Sequence, residues 1–440
     1  MNPLEQARAT IDRVDAQMAE LFAERMRAAQ EIAAWKRQND MPIRDPEREQ
    51  ALLCRGAERI SDPDLQGLYR SFLQESMALS RAYQARLLAE KPSTDGAVRL
   101  QMELGAHSYE IVVGNGLLEQ AGAEFRLDRR VLIVTDSGVP ERYATAVARQ
   151  CKAPTLFTLP AGESSKCMAQ LQALLSVMLE AGFTRGDCVV AVGGGVVSDL
   201  AGFAASCYMR GIDLYTVPTT LLGPVDASIG GKTAIDLDGV KNCVGAFWQP
   251  RGVLIDTDVL QTLPARQIAN GMAEIIKMAL THDADLFSML EADGQTDWNT
   301  VILRALQIKK AVVEADELES GVRRALNFGH TLGHGIEAAA GLNGLLHGEA
   351  VALGMIPMCA PEVRVRLLPI LRRWGLPTDL SVEPEAILQA VRHDKKCTGD
   401  QIAFVTVPRV GAYEIHQASF HAFCRAVLPG LQEMKGEPDT

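Results

Sequence analysis

No run of 18 apolar residues free of charge occurs in this 440-residue chain, so no membrane span is expected. Basic residues are not in excess. Lys and Arg number 44 against 55 Asp and Glu, a formal net charge of −11. That argues against a general nucleic-acid binder, while leaving room for a local cationic cleft that holds a small anion. The first residues, MNPLEQARATIDRVDAQ, lack a basic stretch followed by an apolar one, so they do not read as a secretory leader. The nine cysteines are scattered singly, with no C-x-x-C pair. This excludes a thiolate zinc site of that spacing, argues against a disulfide framework and predicts a cytoplasmic protein. Lysine is scarce, 12 residues against 32 Arg. Each lysine retained in such a chain is a candidate for a role that needs a compact ammonium.

The length allows two to four domains. Residues 1–90 read as helix: Leu4, Ile11, Val14, Met18, Leu21 and Ile32 recur at spacings of three, four and seven. Pro42 and Pro46 end the first long helix, a second is expected from Asp45 to Ile60, and a third from Asp64 to Leu88. Three such helices cannot bury their apolar faces alone, so a self-associating bundle, a homodimer, is expected. Residues 91–97, polar and rich in breakers, read as a linker. From Val98 short apolar runs (YEIVVG, RVLIVTD, CVVAVGG, GVLIDTD) alternate with helical stretches. This predicts an α/β domain with a mainly parallel sheet over 98–263. From residue 264 the pattern is helical to about 395, with a β-like piece, QIAFVTVP, near the end of a domain spanning 264–440.

CVVAVGGGVVSDLAGFAA reads as a buried strand, a glycine turn and a helix start. Glycine lets the backbone approach a phosphate, and the helix N-terminus supplies N–H donors. The strict G-x-G-x-x-G pattern is not met, because Ser198 holds the third position, so a purely structural turn stays open. Asp136 closes the strand RVLIVTD, where it suits either a ligand or a helix cap. Glu163 and Lys166 open a helix, and the loops around 219–242 carry Thr219, Thr220, Asp226, Lys232, Lys241 and Asn242.

Residues 323–347 carry the sharpest signal. Read as one α-helix, they put Arg323, Asn327, His330 and His334 in a stripe of roughly 60°. Three of the eight histidines (His330, His334, His347) fall in this window, and Glu274 and Lys277 lie one turn apart on an earlier helix. Two His and one carboxylate are a common catalytic zinc set. The His330–His334 spacing suits two ligands, and equally one ligand with one acid/base group. Lys309, Glu319, Lys395 and Lys396 add charge nearby.

With these motifs in view, residues 98–440 resemble the 3-dehydroquinate synthases. The resemblance rests on GESSK, GGGVVSDLAGFAA, VPTTLLGPVDASIGGKTAID, KNCVGAFWQP, MAEIIK, DELESGVRRALNFGHTLGHGIEA, HGEAV and HDKK. It implies a Rossmann-like NAD-binding domain and a helical metal domain. It also implies NAD⁺, one divalent metal (Zn²⁺ or Co²⁺), and conversion of 3-deoxy-D-arabino-heptulosonate 7-phosphate to 3-dehydroquinate and phosphate. The implied metal ligands are Glu274, His330 and His347. The implied cofactor contacts are Asp136, Glu163, Ser164, Ser165, Lys166, Gly194, Gly195, Val196, Val197, Ser198, Asp199, Thr219, Thr220, Lys232, Lys241, Val259, Leu260, Gln261 and Thr262. Arg210, Asp226, Asn242, Lys309, Lys395 and Lys396 are implied to bind substrate. Lys232, Lys277, Glu319, Arg323, Asn327 and His334 are implied to act in catalysis, with His334 as proton shuttle. Gly138 and Ser198 depart from the family pattern, the first replacing a common Asn and the second a usual Gly.

Residues 1–90 resemble the all-helical chorismate mutases through LEQARATIDRVDAQMAELFAERMRAAQEIAAWK, PIRDPERE and SRAYQ. The implied chorismate pocket is Arg8, Arg25, Lys36, Asp45, Arg48, Glu49, Ser80 and Gln84, shared between two chains. Helix geometry agrees with sharing: Arg25 and Lys36 fall on one face, while Arg8 points about 100° away. Together the resemblances imply a bifunctional shikimate-pathway enzyme. The alternatives are a synthase with a non-catalytic helical module, and another sugar-phosphate cyclase.

Overall fold

In the computed structural model the described residues are 2–38, 48, 52, 53, 55, 56, 60–89, 97–292, 296–319, 321–341, 344–392, 397, 398 and 400–435. Asp45, Glu49, Lys395 and Lys396 lie outside them, as does most of the expected second helix; of Lys36 and Gln84 only the helical backbone is described. The chain forms two compact units, Met1–Asp95 and Gly96–Thr440.

The first unit contains helix α1 (Pro3–Gln38) and helix α2 (Pro63–Ala89), which pack on each other. Asn2 caps α1 by accepting from Glu5 N at 2.9 Å, and Glu5 accepts from Asn2 N at 3.0 Å. Ala29, Leu53 and Met77 are buried, whereas Leu4, Ile11, Val14, Met18, Leu21 and Ile32 of the expected apolar stripe stay exposed in the single chain.

The second unit opens with a seven-stranded sheet in the order β1-β2-β9-β6-β5-β3-β4. Its strands are β1 (Val98–Met102), β2 (Tyr109–Gly114), β3 (Arg130–Asp136), β4 (Ala153–Leu159), β5 (Cys188–Gly193), β6 (Asp213–Pro218) and β9 (Gly252–Asp256). Only β1 runs antiparallel. The four expected runs are β2, β3, β5 and β9. Strands β3, β5 and β9 are buried almost throughout, because helices cover both sheet faces. Strands β4 and β6 escaped the apolar reading. β4 is an edge strand with alternating exposure, and β6 begins with Asp213 and ends with Pro218. Helices α3 (Ala121–Glu124), α4 (Glu141–Ala148), α5 (Met168–Glu180) and α6 (Gly195–Cys207) complete this half. A hairpin of β7 (Lys232–Leu237) and β8 (Val240–Phe247) stands outside the main sheet, where the sequence suggested loops.

Seven helices follow: α7 (Ala265–His282), α8 (Ala284–Glu291), α9 (Trp298–Ala315), α10 (His330–Ala340), α11 (His347–Met355), α12 (Pro361–Arg373) and α13 (Pro384–Arg392). A three-stranded sheet of β10 (Cys397–Thr398), β11 (Gln401–Arg409) and β12 (Ala412–Ser419) and helix α14 (Phe420–Lys435) close the unit. The densest core lies here. Helix α7 is buried from Ala269 to Thr281, and its Ile275, Ile276, Leu280 and Met272 pack with Phe328, Leu332 and Val351.

Candidate active site

Strand β5 delivers Gly193 at its carboxyl end, and Gly194 caps α6. The turn requires glycine: a Cβ on Gly193 would stand 2.5 Å from Val197, and one on Gly194 2.9 Å from Thr220. Thr219 N donates to Gly193 O at 2.9 Å, tying the turn to the end of β6. The start of α6, with Val196, Val197 and the buried Ser198, therefore sits at the carboxyl edge of the sheet, where open α/β sheets bind ligands. The Ser198 hydroxyl has no hydrogen-bond partner among the described residues.

Lys166 lies almost fully buried beside this turn, donating to Asp199 at 2.7 Å, with its ammonium also against Asn242 Oδ1. Burial pushes Asp199 up to about 6, against the pull of the Lys166 charge. Burial alone would lower Lys166, but Asp199 and Glu163 outweigh it and raise it. Ser165 donates to Pro160 O at 2.6 Å within the 3-10 turn Glu163–Ser165 that also holds Ser164. Asp136 accepts from Gly138 N at 2.7 Å, so its carboxylate shapes a turn. Val259, Leu260, Gln261 and Thr262 form a 3-10 turn after β9, with Thr262 bonded to Tyr143 OH at 2.8 Å.

The helical half gathers Glu274, His330 and His347, whose ligand atoms all lie within 4.8 Å of one another. Nε2 of His330 is 3.5 Å from Glu274 Oε1, and Nε2 of His347 is 3.8 Å from the same oxygen. Two donors about 2.05 Å from one tetrahedral zinc stand about 3.3 Å apart, close to this spacing. Glu274 is fully buried, and neither of its oxygens accepts a hydrogen bond among the described residues. The ammonium of Lys277 presses on Oε2. Oε1, left to face the two imidazoles, suits a bound cation. Nδ1 of His330 bonds Phe328 O at 3.1 Å. A carbonyl only accepts, so Nδ1 carries a proton, and in the neutral ring Nε2 keeps its lone pair.

The single-helix stripe expected for Arg323, Asn327, His330 and His334 is corrected. Residues Val322–Asn327 form a 3-10 helix, and Gly329, at φ 77°, breaks the chain before α10 begins at His330. His330 and His334 share α10, with ring centroids 5.6 Å apart, and His334 lies 6.1 Å from His347. Arg323 lies close enough to Lys309 and Glu319 for its charge to act on both. Its guanidinium is almost wholly buried and donates to Glu317 O at 2.5 Å and Gly230 O at 3.3 Å. Gly230, at φ 91°, is needed there, since a Cβ would stand 2.5 Å from the guanidinium. Asn327 donates to Glu319 at 2.8 Å, and Lys232 of β7 reaches the same carboxylate. That lysine holds Glu319 below the usual carboxylate range despite burial.

Asp226, in the π-turn Gly223–Ala227, pairs with Lys309 of α9. Burial opposes its ionisation, but Lys309 and Lys277 hold it well below the ordinary value. The structure thus brings Asp226, Lys277, Lys309, Lys232, Glu319, Asn327 and the three-residue cluster into one connected polar group. Arg210 is not brought there: it is exposed in the turn after α6, at the opposite end of that helix from the glycine turn. In the first unit Arg8, Arg25 and Arg48 are exposed, and the buried Ser80 donates to Ser76 O.

Three polar residues around the cluster were missed. Asn270 Oδ1 accepts from Gly348 N at 2.6 Å, Glu349 caps α11 by accepting from Leu346 N at 2.7 Å, and Glu337 lies 3.8 Å from His347 Nδ1. The motifs HGE and GHGIEA held two of them, but Glu349 also pairs with Arg266 and Glu337 with Lys241, 83 and 96 residues away, which spacing cannot reveal.

A parallel sheet with a glycine turn at its carboxyl edge, facing helices that gather a carboxylate and two imidazoles, defines a two-domain enzyme of the dinucleotide- and metal-site class. Residues 156–270 match the family model for the 3-dehydroquinate synthase N-terminal part, and residues 271–397 that for its C-terminal part. The 3-dehydroquinate synthase of Streptococcus sanguinis is 41% identical over 343 residues, 73% of this chain and 97% of that protein. That of Streptococcus gordonii is 40% identical over the same shares. A solved 2-epi-5-epi-valiolone synthase from Streptomyces hygroscopicus, with NAD⁺ and Zn²⁺ bound, is 32% identical with a TM-score of 0.68, covering 74% of this chain and 97% of that one. A 2-deoxy-scyllo-inosose synthase complexed with carbaglucose-6-phosphate, NAD⁺ and Co²⁺ is 25% identical with a TM-score of 0.67, over 76% and 100%. The chain belongs to the 3-dehydroquinate synthase family, and its residues 7–85 match the type II chorismate mutase model.

Proposed function

We propose that Glu274, His330 and His347 hold a divalent metal ion, and that the Gly193–Gly195 turn, Lys166, Asp199 and the Val259–Thr262 turn hold NAD⁺ beside it. The enzyme is bifunctional within the shikimate pathway. Its second unit is a 3-dehydroquinate synthase that turns heptulosonate phosphate into 3-dehydroquinate and phosphate. Its first carries chorismate mutase, converting chorismate to prephenate. The observation that carries the synthase reading is the convergence of one fully buried carboxylate and two imidazoles beside Asp226, Lys277 and Lys309. The domain limits that fit are 1–90, a linker over 91–97, 98–263 and 264–440.

When bound, the ion polarises substrate oxygens and the dinucleotide reversibly oxidises a substrate alcohol. The chain's own residues supply the rest. Lys232, Lys277 and Lys309 line the cleft with ammonium groups, which attract a substrate bearing both phosphate and carboxylate. Each also has a carboxylate partner (Glu319, Glu274 and Asp226), which fixes it in place before substrate arrives. His334, one turn along α10 from His330, takes and returns a proton at its imidazole. The buried Arg323 braces the Glu317 and Gly230 backbones, so the loop carrying Glu319 and the hairpin carrying Lys232 keep their spacing. Lys395 and Lys396 belong to the same proposed substrate set.

In the first unit the exposed apolar stripe of α1 fits a second copy of the chain, which makes the enzyme a homodimer and lets each pocket draw on two chains. Arg8, Arg25, Lys36 and Arg48 are the cations suited to the two chorismate carboxylates. No helix among the described residues is long and apolar enough to cross a membrane, and a cytoplasmic location agrees with that.

Phosphate release from heptulosonate phosphate with NAD⁺ tests the synthase reading, run with and without chelator and with His330→Ala. The expected result is release that both treatments abolish. Unchanged turnover under both defeats the metal assignment.

A further inference from the structure

The two proposed histidine ligands are held at Nδ1 by groups of different kinds. His330 bonds the backbone carbonyl of Phe328, which is fixed within its own turn. His347 has instead the carboxylate of Glu337, with Oε2 3.8 Å from Nδ1. The same carboxylate receives the ammonium of Lys241 on its other oxygen. Glu337 sits on α10, two turns after His330, and its side chain is largely buried. Lys241 sits on β8, in the hairpin that extends from the α/β half, and next to Asn242, which touches Lys166 at the glycine turn.

We propose that Glu337 is a positioning residue that orients His347 through Nδ1 and ties that ligand to Lys241, so that the metal centre and the dinucleotide side of the cleft are mechanically joined. This rests on the metal reading above. The chemistry is that of a carboxylate behind a ligating imidazole. It keeps the proton on Nδ1, frees Nε2 for the ion, and makes the ring a stronger donor. A relative shift of about 1 Å brings the 3.8 Å separation to hydrogen-bond length. The Lys241 contact gives the arrangement its second property. A carboxylate shared between an ammonium and an imidazole cannot move toward one without loosening the other, so displacement of Lys241 is felt at His347. Lys241 itself is two-fifths exposed, so a ligand entering the cleft can reach it.

The test uses the full-length chain stripped of metal and titrated with Co²⁺, read by calorimetry and by the visible d–d band. The wild-type chain is expected to bind one Co²⁺ tightly; failure of that result overturns the metal reading itself, and this inference with it. With wild-type binding in place, Glu337→Gln is expected to weaken Co²⁺ about 10–100-fold and to shift the band, while the thermal melt of the metal-free chain stays put. Wild-type affinity and an unshifted band in Glu337→Gln overturn the inference and leave the metal reading standing. Where Glu337→Gln fails to fold, Lys241→Met, at an exposed position, decides. A shifted cobalt band supports the tie between Lys241 and His347, and an unshifted band refutes it.

Discussion

Arg266 and Glu349 join the starts of α7 and α11 in a two-pronged pair, with Nε to Oε1 at 2.6 Å and Nη2 to Oε2 at 2.7 Å. One of these helices carries Glu274 and the other His347, so the pair sets how the two proposed ligands face each other. The two partners are unequal. Arg266 is more than half exposed, whereas Glu349 is buried and also caps α11 at Leu346 N. Glu349→Ala is therefore expected to destabilise by about 1–2 kcal/mol through cap and pair together, and Arg266→Ala by less than about 1 kcal/mol. Urea unfolding followed by tryptophan fluorescence checks this, since Trp248, Trp298 and Trp374 all lie in the second unit. Equal costs for the two substitutions would place the energy in the ion pair and contradict the cap argument.

Gly329 is the hinge between the 3-10 turn and α10. Its φ is 77°, and an added Cβ would lie 2.6 Å from Met355 Cγ and 2.9 Å from Val351 O. Left-handed backbone costs an ordinary residue about 1–2 kcal/mol, and an overfilled core commonly costs about 1–3 kcal/mol more. Gly329→Ala is expected to lose at least about 2 kcal/mol. Because His330 is the next residue, Co²⁺ affinity is expected to fall in parallel. Retained affinity with lost stability would show that α10 reseats as a rigid body.

Much of this site was legible because its chemistry is concentrated locally. The clustering of His330, His334 and His347 and the Glu274–Lys277 spacing are short-range patterns, and both led to the cleft. The one-helix stripe failed at Gly329, where a single left-handed residue resets the helical phase; helix arithmetic cannot register such a break unless the glycine is given weight. Asp136 was open between ligand and cap, and its bond to Gly138 N favours the turn role. Glu337, Glu349 and Asn270 were illegible for another reason. Each has a partner brought close only by packing: Lys241 is 96 residues from Glu337, Arg266 is 83 from Glu349, and Gly348 is 78 from Asn270. The β7–β8 hairpin was missed because its strands are largely exposed and carry no continuous apolar run.

Asp283 gives a prediction with a definite sign in pH. It caps α8 by accepting from Leu286 N at 2.9 Å and takes two bonds from Arg304, at 2.9 and 2.8 Å. Burial would raise this carboxyl, but Arg304 and the Leu286 N–H outweigh it and hold it below its ordinary value of 3.8. A depressed folded value means that the stabilisation is complete above the unfolded value and is lost as pH falls through the folded one. Asp283→Ala is expected to cost about 1 kcal/mol at pH 7. The gap between variant and parent should narrow in urea melts taken below about pH 4. A gap that stays constant down to pH 3 would mean that the contribution is steric.

The two activities are expected to separate cleanly, because each proposed pocket is drawn from one compact unit and contains no residue of the other. Chelation should remove phosphate release by at least about 100-fold, since the ion's polarising role has no substitute among the side chains. Prephenate formation, which needs only cationic clamps and a confined conformer, should stay within about 2-fold. Arg25→Ala should do the reverse by removing a carboxylate clamp from the exposed face of α1. Arg25 is exposed, so its loss should act on chorismate rather than on folding. If the chelated chain also lost mutase activity, the metal centre would be stabilising the helical unit. If Arg25→Ala kept full mutase activity, the helical unit would be serving another purpose, and a bound pathway metabolite acting on the synthase would be the reading to pursue.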